Sequence, residues 1–466
     1  MRTIATIMTS KPQNHKNNHN DIDANIHAGP NSSWRQIWHL SWPIMIANLA
    51  QPLVGATDTA MMGHLPDPAY IGGVALGSLV IHFVVMLFSF LRMSTTGLTS
   101  QAHGAGHHLQ RLLPLQRGIF IALTAGLIFI LGQFLLIKGA YFILPASDAV
   151  EHHMADYISV HIFAMPAILM NTAMLGWLYG LQSMRLGMVQ LLLINGLNIL
   201  LNFVFVLGFD GGIKGVALAS VIANWSGLIF VMVIMSRQFK DELRGFFSLK
   251  DALFSAGWSA YFSLSRDILI RTLLLYLVEA ILLSIGGKQG DLELAALQLI
   301  IVIFGLIAYS LDGFAHASEA LVGAAIGARQ KDKLRQIIWR ATTLAGFVSL
   351  LISLLLFLSA PYLLGILTTH QSVKDISLDL WLYVMALGPA SVLAFQMDGI
   401  FIGAAFGRAL RNGMVISFTL FLISLLLFQE AGLDGVMMAF ILYLSARGIS
   451  LAWRLPQLYA LTETRP

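Results

Sequence analysis

Ionisable side chains are rare within the long apolar segments of this 466-residue chain, and they are the first candidates for chemistry. The apolar segments of the first half contain Asp58, His82, Arg92 and His161. If these segments cross a bilayer, an ionisable group costs about 2.5–3.5 kcal/mol near its centre, so each one needs a reason. A carboxylate or an imidazole in that setting could take up a proton or hold a cation.

Asp58 stands in the segment QPLVGATDTAMMGHL, toward the outer end of the first apolar stretch. The same stretch contains Pro43 and Pro52, and a proline in a helix releases a backbone carbonyl and allows a bend. We predict that both prolines act as hinges, and that Asp58 is protonated in one conformation and charged in another. The alternative is a carboxylate held permanently by hydrogen bonds.

Three asparagines occur in the fifth apolar stretch, at Asn195, Asn198 and Asn202. The last two are four residues apart and therefore share one helix face. Polar residues often join membrane helices, which is one interpretation. The corresponding positions of the second half lie near Ser424 and Phe428, so packing alone does not require two amides. We favour a polar pocket within the first half.

The apolar stretches of the second half carry more charge, at Arg266, Asp267, Arg271, Glu279, Asp312, His316, Glu319 and Asp398. Asp267 and Arg271 are spaced i,i+4 and are expected to pair structurally. Asp312, His316 and Glu319 follow at i, i+4 and i+7 and line one helix face. These carboxylates could hold protons or a cation. Alternatively they form an ion-pair network that includes Arg271, Glu279 and His316.

Several classes of chemistry are disfavoured. The chain has no cysteine, which excludes disulfides, thiolate metal sites and cysteine nucleophiles. It has no G-x-x-x-x-G-K-[ST] phosphate loop and no H-E-x-x-H metal motif. We therefore expect no catalytic residue, metal, prosthetic cofactor, nucleotide or nucleic-acid partner. Any work done by the chain would then draw its energy from a proton or sodium gradient rather than from nucleotide hydrolysis.

The helices that position these residues follow from composition. Hydrophobic residues make up 57% of the chain and charged residues only 11%, against roughly 25% charged in soluble proteins. The apolar runs are about twenty residues long, which matches a bilayer crossed by helices. An all-α membrane protein is expected, with twelve spans at 37–62, 71–102, 116–137, 158–180, 188–208, 213–235, 262–286, 293–327, 337–367, 380–406, 413–429 and 435–455.

The basic residues predict the orientation of the spans. The loops after spans 2, 4, 6, 8 and 10 hold fourteen Lys and Arg residues, whereas the opposite loops hold four. Basic residues accumulate on the cytoplasmic side of membrane proteins. Both termini are therefore predicted to lie in the cytoplasm.

The chain also repeats internally. A shift of 223 residues places Pro166, Gly176 and Gly180 on Pro389, Gly399 and Gly403. Because six spans preserve orientation, the halves are expected to be parallel repeats. We divide the chain into a disordered polar tail at 1–33, a first lobe at 34–236, a cytoplasmic linker or interfacial helix at 237–257 and a second lobe at 258–466.

These residues together resemble a known family. The stretches VGATDTAMMGHL, FLRMSTTGLTSQAHGAG, SLSRDILIRTLLL, YSLDGFAHASEALVGAAIGA and DGIFIGA are similar to the multidrug and toxic compound extrusion (MATE) family, in particular its DinF branch. The resemblance covers nearly the whole chain from about residue 35. It implies two six-helix lobes around a central cleft, and export of organic, often cationic compounds in exchange for protons or sodium ions.

By position, the resemblance assigns Asp58, Pro43, Asn198 and Ser220 to the family's first-lobe site. The family commonly has Asp where this chain has Asn202, and an amide cannot take up a proton. Coupling is then left to Asp58 alone, or it shifts to the second half, at Asp312, Glu319 and Asp398.

We therefore predict a proton/substrate antiporter that works by alternating access. It would export amphipathic or cationic organic molecules as a monomer in the bacterial inner membrane. The alternatives are sodium coupling through the second-half carboxylates and a lipid or glycolipid flippase. A membrane-embedded enzyme would have only Asp312, His316 and Glu319 as a reactive group, and a passive channel is disfavoured by hinged halves.

Overall fold

The computed structural model describes residues 34–62, 68–240, 243 and 257–463, and all regular secondary structure in these ranges is helical. The predicted tail 1–33 and most of the predicted connector 237–257 lie outside the described residues. A helix satisfies its backbone polar groups internally, which the hydrocarbon core of a bilayer requires.

The first half forms six spans. Their helices are Trp34–Leu49 with Gln51–Met62 (span 1), Ala69–Leu87 with Phe90–Gly104 (span 2), His108–Leu131 with Gln133–Ile143 (span 3), Asp148–His161 with Met165–Gly180 (span 4), Met184–Asn202 (span 5) and Gly212–Gln238 (span 6). A 3-10 turn at Ile162–Ala164 joins the two helices of span 4, and a π-helical turn at Phe203–Gly208 follows span 5.

The second half repeats the order. Its spans are Trp258–Gln289 (span 7), Asp291–Gly327 (span 8), Lys331–Leu358 (span 9), Trp381–Gly403 (span 10), Gly407–Leu427 (span 11) and Gly432–Ala452 (span 12). Short helices at Ala360–Leu367 and Gln371–Asp379 connect spans 9 and 10, and a last helix at Leu455–Ala460 follows span 12.

Eleven helical segments of the described chain are long and apolar enough to cross a membrane, and they correspond to spans 2–12. Span 1 is divided at Ala50 into two shorter helices. Pro52 follows this break, and because proline has no N–H it cannot donate to the carbonyl four residues earlier. The interruption therefore has a local cause, and the chain has the twelve spans expected from its sequence.

Large apolar side chains cover much of the molecular surface. Leu131, Phe142 and Trp453 are more than four-fifths exposed, and many leucines and isoleucines of the spans are half exposed. Soluble proteins rarely expose apolar patches of this extent. This surface is suited to contact with lipid, so the chain is a multi-pass membrane protein.

The glycines of the two halves pack in the same way, which shows the repeat in three dimensions. Gly176 of span 4 lies against the carbonyl of Arg92 in span 2, where an added Cβ would overlap the oxygen. Gly399 of span 10 lies in the same way against the carbonyl of Ala315 in span 8. Both second-half residues stand 223 positions after their first-half counterparts.

The chain divides into two compact units. One contains the described residues within 43–99 and 108–253, and its core includes Met154, Tyr157 and Val216. The other contains those within 1–42, 100–107 and 254–466. The boundary between the two units therefore crosses the chain within span 1 and again near the end of span 2. The predicted lobes 34–236 and 258–466, in contrast, meet at a single boundary in the sequence. Those lobe boundaries stay a prediction.

Within the second of these units, the ends of spans 2 and 8 meet in a reciprocal contact. Gly104 lies against the carbonyl of Ala324, and Gly327 lies against the carbonyl of Gln101. Gly327 stands 223 residues after Gly104, and Ala324 stands 223 residues after Gln101. The two halves of the contact are therefore equivalent, as they are about a two-fold axis. The Gln101 side chain adds a hydrogen bond from Nε2 to the carbonyl of Gly403, at 3.1 Å.

Candidate functional site

Asp58 is a buried carboxylate in the second helix of span 1. The residue is 8% exposed, and its Oδ1 accepts a hydrogen bond of 2.6 Å from Asn202 Nδ2 in span 5. An amide can donate to a carboxylate only through its nitrogen, which fixes how the Asn202 side chain is turned. Within the residues that the structure describes, Asp58 forms no ion pair with Lys, Arg or His.

Asn198 and Ser220 extend this arrangement. Asn202 Nδ2 also lies 3.3 Å from Asn198 Oδ1, and Asn198 Nδ2 donates to Ser220 Oγ of span 6 at 2.8 Å. The four side chains are all buried. The structure therefore brings together Asp58, Asn198, Asn202 and Ser220, which the sequence analysis placed in one pocket of the first half.

The second half contains a buried charge cluster that joins three spans. The carboxylate of Asp398 in span 10 pairs with Arg271 of span 7 and Arg447 of span 12, both through its Oδ2. All three residues are more than nine-tenths buried. The Arg447 guanidinium also lies 5.6 Å from the centre of the Phe395 ring. Two arginines on one carboxylate leave this triad with a surplus positive charge.

Arg447 was missed by the sequence analysis. It stands in the apolar segment ILYLSARGISLA of span 12. A cation within an apolar stretch of a membrane helix is itself a signal, because it needs a buried partner.

The expected pair between Asp267 and Arg271 is wrong. Asp267 pairs with Arg411 of span 11 at 2.8 Å and with Arg266 at 3.2 Å. Arg271 turns instead to Asp398. An i,i+4 spacing permits a pair on one helix, but here each residue pairs with a charged residue of a neighbouring helix instead.

The remaining second-half candidates divide. His316 Nδ1 lies 3.3 Å from Glu319 Oε1, so these two are neighbours on span 8. Asp312 is half-buried on the same helix. Glu279 is exposed on span 7 and forms no ion pair within the described chain, so the structure does not bring it into the triad.

The two prolines of span 1 have different surroundings. Pro43 lies within the helix Trp34–Leu49, whereas Pro52 is the second residue of the helix Gln51–Met62, just after the break. The break thus lies between Pro43 and Asp58. Among the described residues, His, Asp and Glu form no group of three that could hold a metal ion.

Comparison with known proteins gives two matches to one family. The MatE family model matches residues 43–204 and again residues 268–428. The two matches fall on the two halves of the chain, and each covers most of five spans. They support the internal repeat independently of the glycine packing.

Several known proteins are similar over three quarters or more of the chain. DNA damage-inducible protein F of Escherichia coli (strain K12) is 34% identical over 91% of this chain and 92% of its own. The probable multidrug resistance protein NorM of Acinetobacter baylyi is 26% identical over 77% of this chain and 80% of its own. A multidrug resistance MATE family transporter solved in an outward-facing conformation has a TM-score of 0.83 at 19% identity, over 92% of this chain and 97% of that one.

Proposed function

The chain belongs to the MATE family of transporters, and on that premise we propose that it exports amphipathic or cationic organic molecules in exchange for protons. The observation that carries the coupling is Asp58: a buried carboxylate that hydrogen-bonds to an amide and forms no ion pair within the described chain. A carboxylate in an apolar bundle is costly when charged, so it can respond to protonation.

Two of the second-half carboxylates, Asp398 and Asp267, are less suited to coupling. Asp398 is neutralised by two guanidinium groups that are part of the chain itself. Asp267 is likewise paired with Arg411. Arginine stays protonated at all physiological pH values, so these partners remain charged through the cycle. This favours protons at Asp58 over sodium at Asp398.

The contact between Asp58 and Asn202 suggests how protonation is converted into movement. A hydrogen bond to a charged carboxylate is roughly twice as strong as one to a neutral group. Protonation of Asp58 therefore weakens its bond to Asn202, which joins span 1 to span 5. The second helix of span 1 is then free to bend at the break before Pro52. Outward-facing, this releases the substrate; inward-facing, loss of the proton restores the bond.

The energy available is adequate for export. One proton crossing about 100 mV releases about 2.3 kcal/mol, and one pH unit adds about 1.36 kcal/mol. Exchange of one monovalent cation for one proton moves no net charge. For such a substrate only the pH difference drives transport, and about one pH unit supports a tenfold gradient.

The same proposal includes the orientation, the membrane and the oligomeric state of the transporter. The fourteen-to-four distribution of basic residues between the two sets of loops supports cytoplasmic termini. We place the chain in the bacterial inner membrane as a monomer that needs a bilayer and an ion gradient but no prosthetic cofactor. Its relatives are transporters, which supports a role without catalysis.

Substitution of Asp58 tests the coupling. Wild type, Asp58→Asn and the control Asp379→Asn, which removes an exposed carboxylate after span 9, are reconstituted in ethidium-loaded proteoliposomes. We expect a proton gradient, but no sodium gradient, to accelerate efflux at least tenfold in wild type and the control, and not in Asp58→Asn. Undiminished proton-driven efflux by Asp58→Asn would refute the assignment, and efflux that follows sodium would favour the alternative.

A further inference from the structure

The buried face of span 5 is lined by amides over most of its length. Gln190, Asn195, Asn198 and Asn202 are all more than nine-tenths buried. From Gln190 to Asn202 the helix rises about 18 Å. This is more than half of the roughly 30 Å of hydrocarbon that a span must cross. The stripe therefore extends far beyond the pocket around Asp58.

Hydrogen bonds continue the stripe from Asp58 toward the other end of span 5. Beyond Ser220, Asn224 Nδ2 donates to the carbonyl of Ser220 at 2.9 Å. Asn171 Nδ2 of span 4 donates to the carbonyl of Asn224 at 2.9 Å, and Gln190 Nε2 donates to Asn171 Oδ1 at 3.0 Å. Polar groups thus link Asp58 to Gln190, two turns from the beginning of span 5 at Met184.

Three buried atoms along this path make no hydrogen bond to the described protein. They are Gln190 Oε1, Asn195 Nδ2 and Asn202 Oδ1. Buried polar atoms are nearly always paired, with protein or with ordered water. Sites with several polar groups are those that hold buried water. The three atoms lie at the two ends and in the middle of the stripe, so they offer positions for bound water at both ends and in the middle.

The repeat provides an internal comparison. The buried face of span 11 carries Gly413, Ser417, Phe421 and Ser424. Its two hydroxyls donate to carbonyls of their own helix, Ser417 to Gly413 and Ser424 to Phe421. Span 11 thus occupies the corresponding place in the fold without buried amides. The stripe of span 5 is therefore not a requirement of packing.

We propose that ordered water molecules held by this amide stripe carry the proton between Asp58 and the end of span 5 at Met184. This rests on the proposed proton coupling and on the proposed orientation of the chain in the membrane, which puts the Met184 end of span 5 in the cytoplasm. The Asp58 carboxyl gives its proton to the first water and becomes a carboxylate, and the last water releases a proton to the cytoplasm. The amides hold and orient the water and do not themselves change protonation.

Two substitutions interrupt the stripe without touching Asp58. Asn195→Leu is the cleaner one, because Asn195 makes no side-chain hydrogen bond within the described chain and the substitution breaks none. Gln190→Leu removes the contact with Asn171 as well. Asn195→Ser restores a group that can bind water. Ser417→Ala in span 11 is the matched control from the other half.

The rate of proton delivery is measured with pyranine inside ethidium-loaded proteoliposomes after acidification of the outer solution, and ethidium binding is measured by equilibrium dialysis. We expect Asn195→Leu and Gln190→Leu to slow proton delivery at least tenfold with ethidium Kd within twofold of wild type, and Asn195→Ser and Ser417→Ala to match wild type. If Gln190→Leu does not fold, Asn195→Leu decides.

If Asn195→Leu delivers protons at the same rate as wild type, the proposed water path is wrong. If Asp58→Asn at the same time abolishes proton-driven efflux, the coupling at Asp58 stands without the path. If Asp58→Asn instead transports normally, the proposed function itself is wrong. An equal fall in ethidium binding and proton delivery would also overturn the path, because it would show a structural role for the stripe.

Discussion

At the residue scale, the buried carboxylates of this chain differ in what compensates their charge. Asp58 accepts a hydrogen bond from the neutral amide of Asn202, whereas Asp398 is paired with Arg271 and Arg447. A group whose partner is neutral can lose its charge without leaving a buried cation behind. Protonation of Asp398 would leave two buried arginines, which is far more costly.

The triad around Asp398 gives a prediction about stability. Asp398→Asn removes the carboxylate that pairs with both buried guanidinium groups, and we expect it to lower the free energy of unfolding by about 3–5 kcal/mol. Arg447→Gln leaves one balanced pair between Arg271 and Asp398, so its effect should be clearly smaller. Thermal unfolding in detergent measures both.

The control for the triad is Lys331→Gln. Lys331 pairs with Glu463 where both side chains are about half exposed, and such pairs contribute about 0–1 kcal/mol. Its melting temperature should stay near that of wild type. An Asp398→Asn variant as stable as Lys331→Gln would show that the triad does not hold spans 7, 10 and 12 together.

Only part of this site could be predicted from the sequence. The rarity of ionisable groups in the apolar stretches singled out Asp58, and spacing on one helix gave the shared face of Asn198 and Asn202. The family resemblance added Ser220. Pairing between helices could not be predicted, because it depends on which faces meet. Asp267 therefore has Arg411 as partner rather than the expected Arg271.

At the element scale, the division of span 1 at Ala50 is the feature closest to the proposed movement. Pro52→Ala supplies an N–H that can donate to the carbonyl of Asn48, and this favours one continuous helix. We expect a slower rate of ethidium efflux with an unchanged Kd, because the helix bends less readily.

Pro114→Ala is the matched control for the hinge, since Pro114 lies inside the unbroken first helix of span 3. Initial efflux rates in proteoliposomes compare the two variants. Equal rates for Pro52→Ala and wild type would exclude the break before Pro52 as a hinge.

The reciprocal glycine contact between spans 2 and 8 leads to a second prediction at this scale. In Gly104→Ala or Gly327→Ala, the new Cβ would overlap a carbonyl oxygen of the facing helix. Backbone must then move, and we expect a loss of about 1–3 kcal/mol of stability.

Gly139 of span 3 is the control, because an added Cβ there meets nothing within 4 Å. In Gly139→Ala the better helix propensity of alanine should leave stability unchanged or raise it by up to about 1 kcal/mol. Thermal unfolding separates the two cases. If all three variants melt together, the close approach of spans 2 and 8 is not tight in solution.

The positions of the spans were predictable, but their interruptions and buried faces were not. Span 2 was predicted at 71–102, and its helices cover Ala69–Leu87 and Phe90–Gly104 with a turn between them. Hydropathy detects a long apolar run, but the spacing of apolar residues along the run does not indicate where such a turn interrupts the helix. In lipid both the buried and the outer face of a helix are apolar, so the usual amphipathic signal is weak.

At the scale of the whole molecule, the backbone repeats while the chemistry does not. Glycine contacts recur between spans 2 and 4 and between spans 8 and 10. The amides accumulate in the first half, and the arginine triad occurs in the second. The two copies of one scaffold therefore differ in their buried chemistry, with a carboxylate among amides in one and an arginine–carboxylate triad in the other.

Proton displacement by substrate tests the central claim most directly. Ethidium is added to the detergent-solubilised protein in weakly buffered solution, and the change in pH is recorded together with the amount of dye bound. If Asp58 exchanges its proton for substrate, wild type releases about one proton for each ethidium bound, and Asp58→Asn binds ethidium without releasing any. Equal proton release by wild type and Asp58→Asn would contradict coupling at Asp58.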